Sequence, residues 1–201
     1  MAPRTLAPWA EAVPQQADLM TADELLHRHD DFWSFELVEG RLVRMPPAGF
    51  DHGTLEVDLG SVLRSFVIAR ALGGVATGET GFTLSRPGEP DTVLGADIAF
   101  VRAGRLPPRG SLERRGFLRL APDLIVEVAS PDQYHPEMAE KARMWLAAGV
   151  RLLWLVWPRS KQVEVWRPGS DVPVATLGGA DALDGLDVVP GFFYPVSRLF
   201  E

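Results

Sequence analysis

The chain contains no cysteine, which excludes disulfides, thiolate zinc sites and cysteine nucleophiles. Any metal must therefore be held by oxygen or imidazole. Lysine is almost missing too: Lys141 and Lys161 are the only two, against 18 arginines. No apolar run approaches the ~18 residues of a membrane span. The opening stretch MAPRTLAPWAEAVPQQADLM carries Glu11 and internal prolines where a signal peptide has its apolar core. A cytoplasmic protein with no membrane partner is expected. There is no internal repeat, no G-x-x-x-x-G-K phosphate loop and no G-x-S-x-G elbow, so nucleotide hydrolysis and serine chemistry lack their parts.

What is present suits one globular domain: 201 residues, 46% of them hydrophobic, with 17 prolines and 19 glycines spread as punctuation between short elements. The net charge of −7 argues against a protein that coats nucleic acid. Its distribution is uneven. From Arg102 to Arg119 six arginines face one acid, Glu113, a local balance of +5 that leaves −12 for the rest. A basic loop on an acidic body suits a protein that meets a polyanion at one place, or it is simply a solvated face.

Residues 1–19, rich in Ala, Pro and Gln, read as a poorly ordered arm, and a single domain is expected over 20–201. Thr21 with Glu24 forms a capping-box start for a short helix. Phe35 to Met45 reads as a hairpin turning at Glu39-Gly40. Between His52 and Leu72, apolar residues recur at three- and four-residue steps, the signature of a helix with one buried face. Strand-like runs follow at 75–79, 82–84, 96–101 and 124–129, then a helix over Pro136 to Ala148, then a hairpin from Leu152–Trp157 and Gln162–Trp166. This order predicts an α/β fold, a mixed central sheet flanked by helices with additional hairpins, and not a doubly wound nucleotide fold.

Two acids stand out within apolar strands. Glu127 interrupts PDLIVEVASP, whose alternating positions are apolar on both faces. A carboxylate there costs several kcal/mol unless it is paired or holds a cation, so it needs an arginine partner or a metal. Asp97 repeats the anomaly in GADIAFV, with Ile98 and Phe100 on one face and Asp97, Ala99 and Val101 on the other. Two such carboxylates can converge on one hard divalent ion such as Mg²⁺. Lys141 lies in the helix after the Glu127 strand. There Met138, Ala142, Trp145 and Leu146 make the buried stripe, with Lys141 on its rim, free to run its stem along the sheet or to pair with Glu137 on a solvated face.

The stretches FELVEGRLVRMPPAGFDHG, GADIAFV, PDLIVEVASP, EKARMWLAAGVRLLWLVWP and GFFYPVSRLF resemble the Uma-two family of proposed restriction endonucleases, a branch of the PD-(D/E)XK nuclease superfamily. The similarity runs from about Met20 to Phe200. It implies a restriction-endonuclease-like fold, a DNA substrate and hydrolysis supported by Mg²⁺, with Mn²⁺ as substitute. In the family pattern the motif Asp falls on Asp97, the motif Glu on Glu127, the hairpin Glu on Glu36 and the His after the hairpin on His52. Asp97 and Glu127 would hold the metal, Lys141 and Glu36 would complete the catalytic set, and His52 is a substrate contact or a structural histidine. The chain departs from the superfamily at Ala129, where the Glu-x-Lys lysine would stand, so the lysine role passes to Lys141. It departs again at Gly95-Ala96, where the family commonly has Arg-Pro.

Arg109, Arg114 and Arg115 of the basic loop are the expected phosphate contacts. His27, His29 and His135 have no metal-ligand spacing and are given no role. The tryptophans at 154, 157 and 166 read as core or as the face of a homodimer. The competing reading of the whole chain is a catalytically silent nuclease-fold module that binds or interacts without cleaving.

Overall fold

In a computed structural model, the described residues are 19–28, 34–130, 133 and 135–201. The expected N-terminal arm, apart from Leu19, lies outside them, as does His29. Helix α1 (Ala22–Leu26) opens with the anticipated capping box, Thr21 accepting from the Glu24 amide while Glu24 accepts from Thr21 N at 2.7 Å. Strands β1 (Ser34–Val38) and β2 (Arg41–Met45) form the predicted hairpin. Its turn residues Glu39 and Gly40 both have positive φ, the conformation that matches strand twist in a two-residue turn.

Helix α2 (Phe50–Ala69) buries Leu59, Leu63 and Val67, the four-residue rhythm read from the sequence. Two expected strands then prove to be one, β3 (Gly73–Thr83), with a register shift between Thr77 and Thr80. Glycines at 73, 74, 78 and 81 had hidden its alternation. Strand β4 (Val93–Arg102) pairs with β3 from end to end except at Asp97, which lies opposite the register shift. After a long loop come β5 (Leu124–Val128), α3 (His135–Ala147), β6 (Leu152–Trp157), β7 (Gln162–Trp166) and β8 (Ala175–Leu177). Strands β9 (Ala182–Asp184) and β10 (Phe193–Pro195) form a separate ribbon before α4 (Val196–Leu199).

The main sheet runs β2-β1-β4-β5-β6-β7-β8, with β3 also on β4. Only β5 and β6 pair in parallel among the described strands, joined by α3 as crossover. The sheet has a core on each face. One holds Ile98, Phe100, Val126 and Trp154 under α2, α4 and the β9–β10 ribbon. The other holds Ala99, Val101, Ile125 and Leu153 under Met138, Ala142 and Trp145 of α3. Trp154 and Trp166 are fully buried in these cores, so the late hairpin's tryptophans are mainly interior residues of one chain. No helix among the described residues is long and apolar enough to cross a membrane.

Candidate active site

The site sits at a fork in the sheet. On one edge of β4, β1 pairs only at Val93 and β5 only at residues 98–100, so among the described residues no strand serves the stretch between them. Backbone groups there need other partners. Gly95 N donates to Glu36 Oε1 at 2.8 Å, Gly95 O accepts from Lys141 Nζ at 3.1 Å, and Asp97 Oδ2 accepts from Val128 N at 2.6 Å. Three side chains thus replace a strand and are fixed by doing so.

The same place shifts the phase of β4. Ala96 packs with Ala99 and Val101, while Ile98 and Phe100 face the other core, so strict alternation fails across Asp97. The sequence expectation that Asp97 shares a face with Ala99 and Val101 is therefore corrected. Its carboxylate instead reaches the N-terminal turns of α2, with Oδ1 3.2 Å from His52 Nε2. The cause is the one-residue bulge in β3 at Gly78-Glu79, where Glu79 has a φ of 51°.

Lys141 is not on a solvated rim. Its side chain is 8% exposed and its ammonium lies 3.0 Å from both Glu36 Oε1 and Glu127 Oε2. Two carboxylates, from β1 and β5, meet it beside α3, which turns a rim position into an interior one. Burial disfavours the ammonium, but the Glu127, Glu36 and Asp97 charges outweigh it and raise the Lys141 pKa. Lys141 is thus a fixed cation and not a proton acceptor. Glu127 is held on its other oxygen by Trp145 Nε1 at 2.8 Å. Its pKa is pushed up to about 8 by burial first and by the Asp97 and Glu36 charges, with Lys141 opposing.

Sequence reasoning missed two acids. Glu56 stands one turn after His52 on α2, and donor atoms of His52, Glu56 and Asp97 lie within 4.8 Å of one another. The signal was available, since His and Glu at i, i+4 share a helix face. Glu56 is steadied by the amide of Gly78 in the bulge. Glu79, the next residue, lines the cavity, and nothing in its Gly-rich surroundings marked it. Burial raises the pKa of both acids, with the Asp97 charge adding to the effect. His52 is raised as well: burial opposes its protonation, but the adjacent Asp97 carboxylate, with Glu56 and Glu127, wins.

A cavity of about 320 Å³ brings together Glu36, His52, Glu79, Asp97, Glu127 and Lys141. All four expected catalytic residues and His52 therefore meet at one place. A divalent cation fits the donor set. Neither ring nitrogen of His52 has a well-formed hydrogen bond although its side chain is 9% exposed, and the surrounding carboxylates outnumber the cations.

The expected phosphate contacts are elsewhere. Arg109, Arg114 and Arg115 do not line this cavity, and Arg114 Nε donates to Pro107 O at 2.7 Å. Arg102 and Arg105 close on Asp123, fully buried at the opposite end of β5, at 3.2 and 3.0 Å. His135, given no role, binds buried Glu164 at 2.7 Å and stacks on Trp157.

A mixed sheet whose fork holds buried Asp, Glu and Lys beside a helix-borne His and Glu defines a protein of the restriction-endonuclease-like class. Residues 22–197 match the model of the Uma2 family, described as "Putative restriction endonuclease", and the chain belongs to that family. Among solved structures it is similar to "a putative nuclease belonging to DUF820 from Anabaena variabilis", with a TM-score of 0.73 and 22% identity over 90% of this chain and 97% of that one. No curated protein matches it.

Proposed function

We propose that the chain is a metal-dependent endonuclease that hydrolyses phosphodiester bonds in nucleic acid, with DNA as the expected substrate. The observation that carries this reading is the convergence of Asp97, Glu127, Lys141 and His52 around one cavity, with Glu56 beside His52 and Asp97. Family membership supports the nuclease class.

Asp97, His52 and Glu56 would hold the cation, with Glu127 next to them. Mg²⁺ suits the carboxylates, and the imidazole favours Mn²⁺ as the better fit. A bound divalent ion supplies Lewis acidity toward a phosphoryl oxygen and toward water. The chain's own groups do the rest. Lys141 keeps its charge at every working pH and is placed to stabilise negative charge that grows on the phosphoryl group. Glu127, poised near neutrality, can accept a proton from water at Oε2, while Trp145 holds Oε1 in position. Glu36 fixes the Lys141 ammonium and the Gly95 backbone. Glycine at 95, where the family commonly has arginine, removes a positive charge from the cavity mouth. A Cβ there would lie 3.2 Å from Glu79 O, so the bulge and the small residue fit each other.

Nicking of supercoiled plasmid with Mg²⁺ or Mn²⁺ tests the reading on wild type, Asp97→Asn, Glu127→Gln and Lys161→Ala. Activity is expected in wild type and Lys161→Ala alone, and only with metal. Absence of hydrolysis in every protein, on DNA and RNA alike, would instead leave the silent module.

A further inference from the structure

Beside the catalytic cavity lies a second hollow of about 620 Å³ with mostly apolar walls, and the two share His52, Ser130 and Gln133. Phe50 and Trp157 form its aromatic sides and Arg159 stands at its lining. Phe50 is the first residue of α2 and is 89% exposed. Leaving so large an apolar side chain in water has no packing benefit to the folded chain. Trp157 has one face covered by the His135 ring, with centroids 5.2 Å apart and planes within 9°.

The charge pattern indicates what this groove receives. The catalytic cavity sets Glu36, Glu79, Asp97 and Glu127 against Arg28 and Lys141, the groove sets Asp51 against Arg159, and none of the arginines 102–119 lines either hollow. The acids outnumber these cations and Lys141 is already paired with Glu36 and Glu127, so a polyanion finds no surplus of positive charge from the chain where it must react. Further affinity is then available from its other surface, the faces of its bases, and base–aromatic stacking supplies that only to bases that are not paired. We propose that the groove beside His52, walled by Phe50 and Trp157, takes the unpaired base of the nucleotide adjoining the reactive phosphodiester. The substrate is accordingly single-stranded or carries an unpaired base at the cleavage point. This rests on the nuclease reading above.

The test is fluorescence anisotropy of a short labelled oligothymidylate, its fully abasic counterpart and a matched duplex, with Ca²⁺ replacing Mg²⁺ to prevent turnover. Wild type, Phe50→Ala and Phe50→Tyr are compared, with melting temperature as the check on folding, which an exposed residue should not disturb. The single strand should bind roughly 10-fold or more tightly than the abasic chain. That preference should vanish in Phe50→Ala and return in Phe50→Tyr. Equal binding of all three proteins, or equal binding of base-bearing and abasic chains by wild type, would overturn the proposal. So would a wild-type dimer in sedimentation that Phe50→Ala dissociates, which would give Phe50 to a second copy. Hydrolysis indifferent to Phe50→Ala removes the groove and keeps the nuclease. Phe50-dependent base preference without hydrolysis under any cation keeps the groove and removes the nuclease.

Discussion

Lys141 Nζ lies 3.0 Å from Glu127 Oε2 although one residue is on the crossover helix and the other on the central strand it leaves. Both side chains are buried, at 8% and 4% exposure. Breaking a buried pair by removing one partner strands the other charge, typically at a cost of about 3–5 kcal/mol. Lys141→Ala should thus destabilise the protein by about 3 kcal/mol and abolish cleavage. The stability loss should grow as pH rises through about 8, where Glu127 gives up its proton and is left without its cation. Denaturant melts at acid and at mildly alkaline pH check this, and equal losses at both would remove the ion pair from the explanation. A lysine on a solvated helix rim would instead change stability by under about 1 kcal/mol.

Glu127 makes stability depend on pH in the opposite sense to most acids. Its folded pKa is about 8, above the unfolded value. Protonation is therefore favoured by folding, and this stabilisation is fully present below about pH 4.5 and lost as pH rises toward about 8. Glu127→Gln removes the titration while keeping an acceptor for Trp145. Relative to the variant, metal-free wild type should lose on the order of 1 kcal/mol per pH unit across that window. Parallel pH profiles of melting temperature in EDTA would contradict the assignment.

Metal affinity should depend on α2 as much as on the strands. Calorimetry with Mn²⁺ should show binding weakened about 10-fold or more by His52→Ala or Glu56→Gln, within the range seen when a ligand or its support is removed. Because the pKa values of His52 and Glu127 are raised, binding should release protons near neutral pH and tighten between about pH 6 and 8. Wild-type affinity in both variants would return the site to Asp97 and Glu127 alone.

The arginines of the 102–119 segment should divide into two groups. Arg105→Ala should cost about 1–2 kcal/mol, since it removes a partner of fully buried Asp123, and should leave the salt dependence of DNA binding unchanged. Replacing Arg109, Arg114 and Arg115 together by alanine should lower the salt slope by up to about one unit for each phosphate no longer neutralised. An unchanged slope in the triple variant would make the segment a solvated face.

The elements that carry the site were legible in the sequence. The Glu39-Gly40 turn, the four-residue rhythm of α2 and the apolar run around Glu127 are local patterns, and each formed the predicted element. Asp97 and Glu127 were legible because a carboxylate in an apolar strand is anomalous whatever surrounds it. Glu36 and His52 entered through family resemblance, while Glu56 showed only in the spacing of a helix face. What the tertiary structure alone decided is where these groups point. The Gly78-Glu79 bulge shifts the phase of β4 so that Asp97 meets α2, and the fork between β1 and β5 leaves Gly95 to be satisfied by Glu36 and Lys141. Helical period sets angle about an axis but not what lies beyond it, and so it placed Lys141 on a rim that two carboxylates from the sheet enclose.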